Sequence, residues 1–149
     1  MPAGTHQSAI TGMMGMGRGG VSVTPKAIPE GTMAVDISIT LSEAPPNTSY
    51  VVQRAPEVGR ALGTDGICQR ALGMAPWIDP PAPAFLTFPL GTGVAVLTTN
   101  ASGAGSLNFE FRSPITPAGT VFDVMFRLID SETAPTMEFR SGCFTIVVK

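Results

Sequence analysis

Along residues 105–112 the chain alternates: Leu107, Phe109 and Phe111 are apolar, and Ser106, Asn108, Glu110 and Arg112 between them are polar. A period of two puts one set on the buried face of a β-strand and the other in water. Val94 to Thr98 is a second extended run, and Asn100, Ser102, Gly103 and Gly105 lie between the two. These residue types reverse a chain, through side-chain bonds to the backbone and a permissive glycine conformation, so the stretch predicts a β-hairpin.

The same signal recurs on both sides. Val21 and Val23 open the domain, and Met33, Val35, Ile37, Ile39 and Leu41 mark the cleanest half-buried strand. Pro45-Pro46-Asn47 ends it, because proline has no amide hydrogen to continue a ladder. Ser49 to Arg54 begins the next strand, with Tyr50 and Val52 on one face, and Ala84 to Phe88 is a further short strand. From Val121 to Asp130, Phe122, Val124, Phe126 and Leu128 oppose Asp123, Met125 and Arg127. The last run, Met137 to Val148, breaks at Ser141-Gly142, where a bulge would turn Phe144, Ile146 and Val148 inward.

Seven or eight strands spaced by proline and glycine turns, with no long helical period, predict an all-β fold. The expected form is an antiparallel two-sheet sandwich with immunoglobulin-like Greek-key topology; a jelly roll or closed barrel is the alternative. The strand-rich domain is expected over residues 21–149. Residues 1–20 carry Ile10, Met13, Met14 and Met16 among glycines without a period, and are expected to be a flexible or partner-docking arm. Residues 55–83 hold Pro56, Gly59, Gly63, Gly66, Gly73, Pro76, Pro80, Pro81 and Pro83. They predict a long irregular loop, over a cluster that includes Trp77 and Ile78.

Two stretches resemble a pattern of secreted bacterial immunoglobulin-like sandwich domains: Ala44-Pro-Pro-Asn-Thr-Ser-Tyr-Val-Val52, and Leu97-Thr-Thr-Asn-Ala-Ser-Gly-Ala-Gly-Ser-Leu107. The likeness follows the order and spacing of most of residues 21–149, and about twenty residues carry it. It implies an extracellular, non-catalytic domain with no site residues to transfer. The 55–83 loop departs from the short connections of such domains.

Composition narrows the function classes. Only 13% of the 149 residues are charged, the net charge is -2 and 44% are hydrophobic. The arginines are scattered, which excludes a phosphate-tracking surface and so a nucleic-acid partner. No apolar run approaches the roughly 20 residues of a membrane-spanning helix. Cys68 and Cys143 are the only cysteines and are expected to pair, closing a loop of half the chain; two buried thiols are the competing reading. A disulfide would place the protein outside the reducing cytosol, in the extracellular space, at the cell surface or in the periplasm.

Candidate chemistry is sparse. His6 is the only histidine and falls in the expected arm, which removes most histidine-dependent hydrolysis. Asp36, Glu110 and Asp123 lie on polar strand faces and read as solvated, although two carboxylates converging in one cleft would allow glycoside hydrolysis. Asp65 with Gly66, or Asp130 with Glu132, supplies too few oxygens for calcium and reads as turn structure. No cofactor and no metal is expected. Trp77, between prolines, is a candidate for stacking on carbohydrate or anchoring an interface, and Met13, Met14, Met16 and Ile78 are the other candidate interaction residues. The expected role is non-catalytic association, with itself or with another surface protein, in a homo-oligomeric or filamentous assembly. A carbohydrate- or ligand-binding module is the alternative.

Overall fold

The computed structural model describes residues 6–12, 17–57, 64, 66–68, 85–90, 92–131 and 137–149. Twelve strands lie among them: β1 (His6–Gly12), β2 (Arg18–Lys26), β3 (Thr32–Ser42), β4 (Ser49–Pro56), β5 (Leu86–Thr87), β6 (Pro89–Leu90), β7 (Gly93–Val94), β8 (Val96–Thr98), β9 (Gly105–Pro117), β10 (Val121–Ile129), β11 (Glu138–Ser141) and β12 (Phe144–Val147). Ten belong to one antiparallel sheet in the order β5-β4-β10-β11-β1-β2-β3-β9, with β12 beside β10 and β8 beside β4; β6 and β7 pair separately. The sheet curls into a half-barrel around its own core, and the described residues are all-β as expected.

Alternation decides what enters that core. Val35, Ile37, Ile39 and Leu41 of β3 meet Phe122, Val124, Phe126 and Leu128 of β10, together with Tyr50, Val52, Leu97 and Phe139. Burying each of these side chains contributes about 1.5–3 kcal/mol. Ring contacts then set the packing: Tyr50 meets Phe139 edge-on at 5.2 Å, and Phe88 stacks on Phe126 at 5.8 Å.

The expected break at Gly142 is a bulge between β11 and β12. Arg140 faces Arg127 and Phe144 faces Val124, so Met125 and Phe126 oppose three residues. The extra residue flips the phase: Phe139 and Ser141 are buried before it, and Ile146 and Val148 after it. It also withdraws a ladder partner from Phe126, whose amide instead donates to Ser141 Oγ at 2.9 Å. Ser141→Ala leaves that buried amide without its acceptor and is expected to cost about 1–3 kcal/mol in urea unfolding.

Two expectations are corrected here. Residues 94–112 do not form a hairpin: β8 pairs with β4 and β9 pairs with β3, so the turn carries the chain from one half of the sheet to the other. The turn chemistry is nonetheless as read, with Asn100 Oδ1 accepting from the amides of Ser102 and Ala104 at 2.9 and 3.1 Å. The second correction concerns the arm. Residues 6–12 form β1, paired to β2 on one side and β11 on the other, with Ile10 fully buried. Residues 18–20 belong to β2. β1 escapes periodicity because Ile10 is its one large apolar side chain; backbone pairing on both edges holds it instead.

Candidate functional site

β9 is the longest strand and ends the sheet order, so only β3 pairs with it among the described residues. Its ladder to β3 runs without interruption from Gly105 to Ser113; residues 114–116 then fall out of register before Pro117 meets Thr32. Pro114 sits in that irregularity, where a missing amide hydrogen costs no ladder bond. Leu107, Phe109, Phe111 and Ser113 form the half-buried inner row. Phe88 meets Phe109 and Phe111 edge-on at 5.1 and 5.0 Å, joining the two lips of the half-barrel by side chains. The Arg54 guanidinium lies 4.5 Å from the ring centres of both Phe88 and Phe111 and donates to Thr87 O. Beside them is a cleft of about 250 Å³ with a largely apolar lining that includes Leu86, Phe111, Ile115 and Phe122. Ile115 is 90% exposed.

The outer row of β9 is charged and hydrogen-bonded. Lys26 Nζ contacts Glu110 and lies 3.1 Å from Asp36, while Arg112 Nε lies 2.8 Å from Glu110 and its Nη1 is 3.9 Å from Glu30. The hydrogen bond from Lys26, then that from Arg112, holds the Glu110 carboxyl below its ordinary range. Asp36 and Glu110 face each other across the β3–β9 ladder with a lysine between them. That is a surface ion network.

Asp123 departs from expectation. It is fully buried, because the outer face of β10 is covered: its carboxylate accepts from the Gly66 amide and from Thr145 Oγ1, each at 2.6 Å. The Cys68–Cys143 disulfide holds the same segment against the sheet, with Cα atoms 5.7 Å apart. Further along that face Arg127 donates to Gln53 at 2.7 Å and to Glu138 at 2.9 Å, with its guanidinium 3.7 Å from the centre of the Phe85 ring. Burial pushes the Glu138 carboxyl up, but the hydrogen bonds from Arg140 and Arg127 prevail and leave it lowered.

The structure brings two of the candidate carboxylates together and keeps the third apart. Asp36 and Glu110 are joined on the β3–β9 face, whereas Asp123 is bound to Thr145 and Gly66. Asp130 closes the β10–β11 connection by accepting from the Met137 amide at 3.1 Å. Among the described residues no three His, Cys, Asp or Glu side chains form a metal-holding group. His6 is a half-buried residue of β1 rather than a solvated tail residue, and its Nε2 is enclosed without a hydrogen-bond partner among the described residues. Met13, Met14, Met16, Asp65, Trp77, Ile78 and Glu132 lie outside the described residues. The expected sites missed the β9 edge, Arg54 and Ile115; the available signal was Ile115, an apolar residue between Pro114 and Pro117 in a polar surround.

Tyr50 offers a pH probe. It is fully buried, and burial raises its pKa, outweighing the lowering by the Thr48 hydroxyl. A phenol that holds its proton longer when folded favours the fold below the unfolded value of about 10, and that contribution fades as pH rises beyond it. Tyr50→Phe is expected to change stability at pH 7 by less than about 1 kcal/mol and to flatten the loss above pH ~10 in thermal melts.

Comparison with known protein families, with characterised proteins and with solved structures finds no significant match to the chain.

Proposed function

We propose that this chain is a non-catalytic extracellular or cell-surface β domain that works through protein association, as a subunit of a homo-oligomeric assembly. One observation carries the reading: the thirteen-residue strand β9 lies at the end of the sheet with one edge unpaired among the described residues. Such an edge presents a row of amide and carbonyl groups that a further strand satisfies. The disulfide supports an oxidising location. The curled sheet fits an immunoglobulin-like Greek-key sandwich in which the β8–β9 connection crosses between layers.

Light scattering over a wide concentration range tests the association. The expected result is a mass that climbs above that of the monomer as concentration increases. A monomer mass at every concentration would remove self-association. A second reading, ligand binding, is favoured by the cleft beside Phe88 and Arg54, whose apolar lining suits a small apolar molecule better than a sugar.

A further inference from the structure

We infer that the occupant of the β9 edge is β9 of a second copy of this chain, paired antiparallel about a two-fold axis through Phe111; this deepens the association reading and rests on it. The order of charges along the strand carries the argument. With the axis at Phe111, Glu110 faces Arg112 of the second copy, Arg112 faces Glu110 of that copy, and Phe111 faces its own counterpart. Opposite charges directly across an antiparallel pair stabilise it, and like charges destabilise it.

Neighbouring registers fail on the same residues. Directly opposed side chains share a face, so a one-residue slip sets the outer charged row against the half-buried apolar row. Moving the axis to Glu110 or to Arg112 sets that residue against itself. Only the axis at Phe111 matches face to face and charge to charge. The bond already present within the chain, from Arg112 Nε to Glu110 Oε1 at 2.8 Å, is compatible with the cross-strand pair. Glu110 already accepts from Arg112 on Oε1 and from Lys26 on Oε2, but each carboxylate oxygen has a second acceptor site and a guanidinium has further donors.

The assembly also closes. The regular part of β9 ends at Ser113, and the irregularity at residues 114–116 with its proline stops a longer ladder. Ile115, 90% exposed, stands just beyond that end. An isologous contact of this kind uses the same strand on both subunits and so yields a dimer rather than an open fibre.

Complementary charge variants of the full-length chain test the register. Glu110→Arg alone sets arginine against arginine, and Arg112→Glu alone sets glutamate against glutamate. Each is expected to weaken the dimer about tenfold or more by light scattering. Mixed in equal amounts, the two variants are expected to form a one-to-one heterodimer, seen by native mass spectrometry, at concentrations where each alone is monomeric. Unchanged far-UV circular dichroism and melting temperature establish that both variants fold. If the native chain dimerises and neither variant weakens it, or mixing restores nothing, the register is wrong while association stands. A native chain that stays monomeric throughout overturns both.

Discussion

Replacing Cys68 and Cys143 together by serine is expected to lower the melting temperature by roughly 8–16 °C. The bond joins residues separated by 75 positions. In the chain-entropy account, opening a loop of that length frees the unfolded chain by about 4 kcal/mol. For a domain of this size each kcal/mol moves the midpoint by roughly 2–4 °C. The protein is expected to remain folded, because the core cluster formed by β3, β4, β10 and β11 does not depend on the bond. Differential scanning calorimetry of the double variant, and of the native chain with reductant, measures the effect. A midpoint shift below about 2 °C would show that Asp123 and its hydrogen bonds hold the Gly66–Cys68 segment without covalent help.

Gly103→Ala is expected to destabilise the fold by roughly 3–5 kcal/mol, more than most single substitutions. Gly103 has φ of +80°, and a β-carbon there would lie 2.1 Å from Ala44 O. The first condition strains any L-residue by about 1–3 kcal/mol. The second is an overlap with backbone, which no side-chain rotation relieves. The closeness arises because two turns grip each other. The Ala44 amide donates to Gly103 O at 3.1 Å, the Asn47 amide donates to Asn100 O at 3.0 Å, and Thr99 Oγ1 donates to Pro45 O at 2.7 Å. Gly119→Ala is the control: φ is +91° there, but nothing lies within 4 Å of the added carbon. That change is expected to cost about 1–3 kcal/mol, so the difference in urea midpoints between the two variants isolates the close approach.

How much of this was legible depends on what alternation encodes. It assigns a face, so Val35, Ile37, Ile39 and Leu41 on β3, and Phe122, Val124, Phe126 and Leu128 on β10, are readable as core from the sequence. Turn chemistry was readable too, in Asn100 with its accepted amides and in the bulge beside Gly142. Alternation does not say which strand is the neighbour. Asn100 to Gly103 reverses the chain whether the flanking strands pair with each other or, as here, with β4 and β3. Nor does it report a second layer. Asp123 sits on what reads as a solvated face, and its burial comes from a segment that a disulfide brings over from elsewhere in the chain. For the candidate site, the polar row of β9 was visible in sequence, but its place at the end of the sheet is a property of topology.

The position of β1 bears on the order in which the molecule is completed. Ile10 pairs with Ser141 and Gly12 with Phe139, so the first strand locks against one of the last. As the chain is synthesised, β1 and β2 can zip together early, but the sheet stays split until residues 138–141 emerge. Cys143 follows two residues later, so the disulfide cannot form before the strand that joins the two halves of the sheet has been made. Contacts this distant in sequence belong to slow folders, on the scale of milliseconds to seconds. Throughout that interval the outer edge of β1 is unpaired, and an unpaired strand edge is able to pair with other chains.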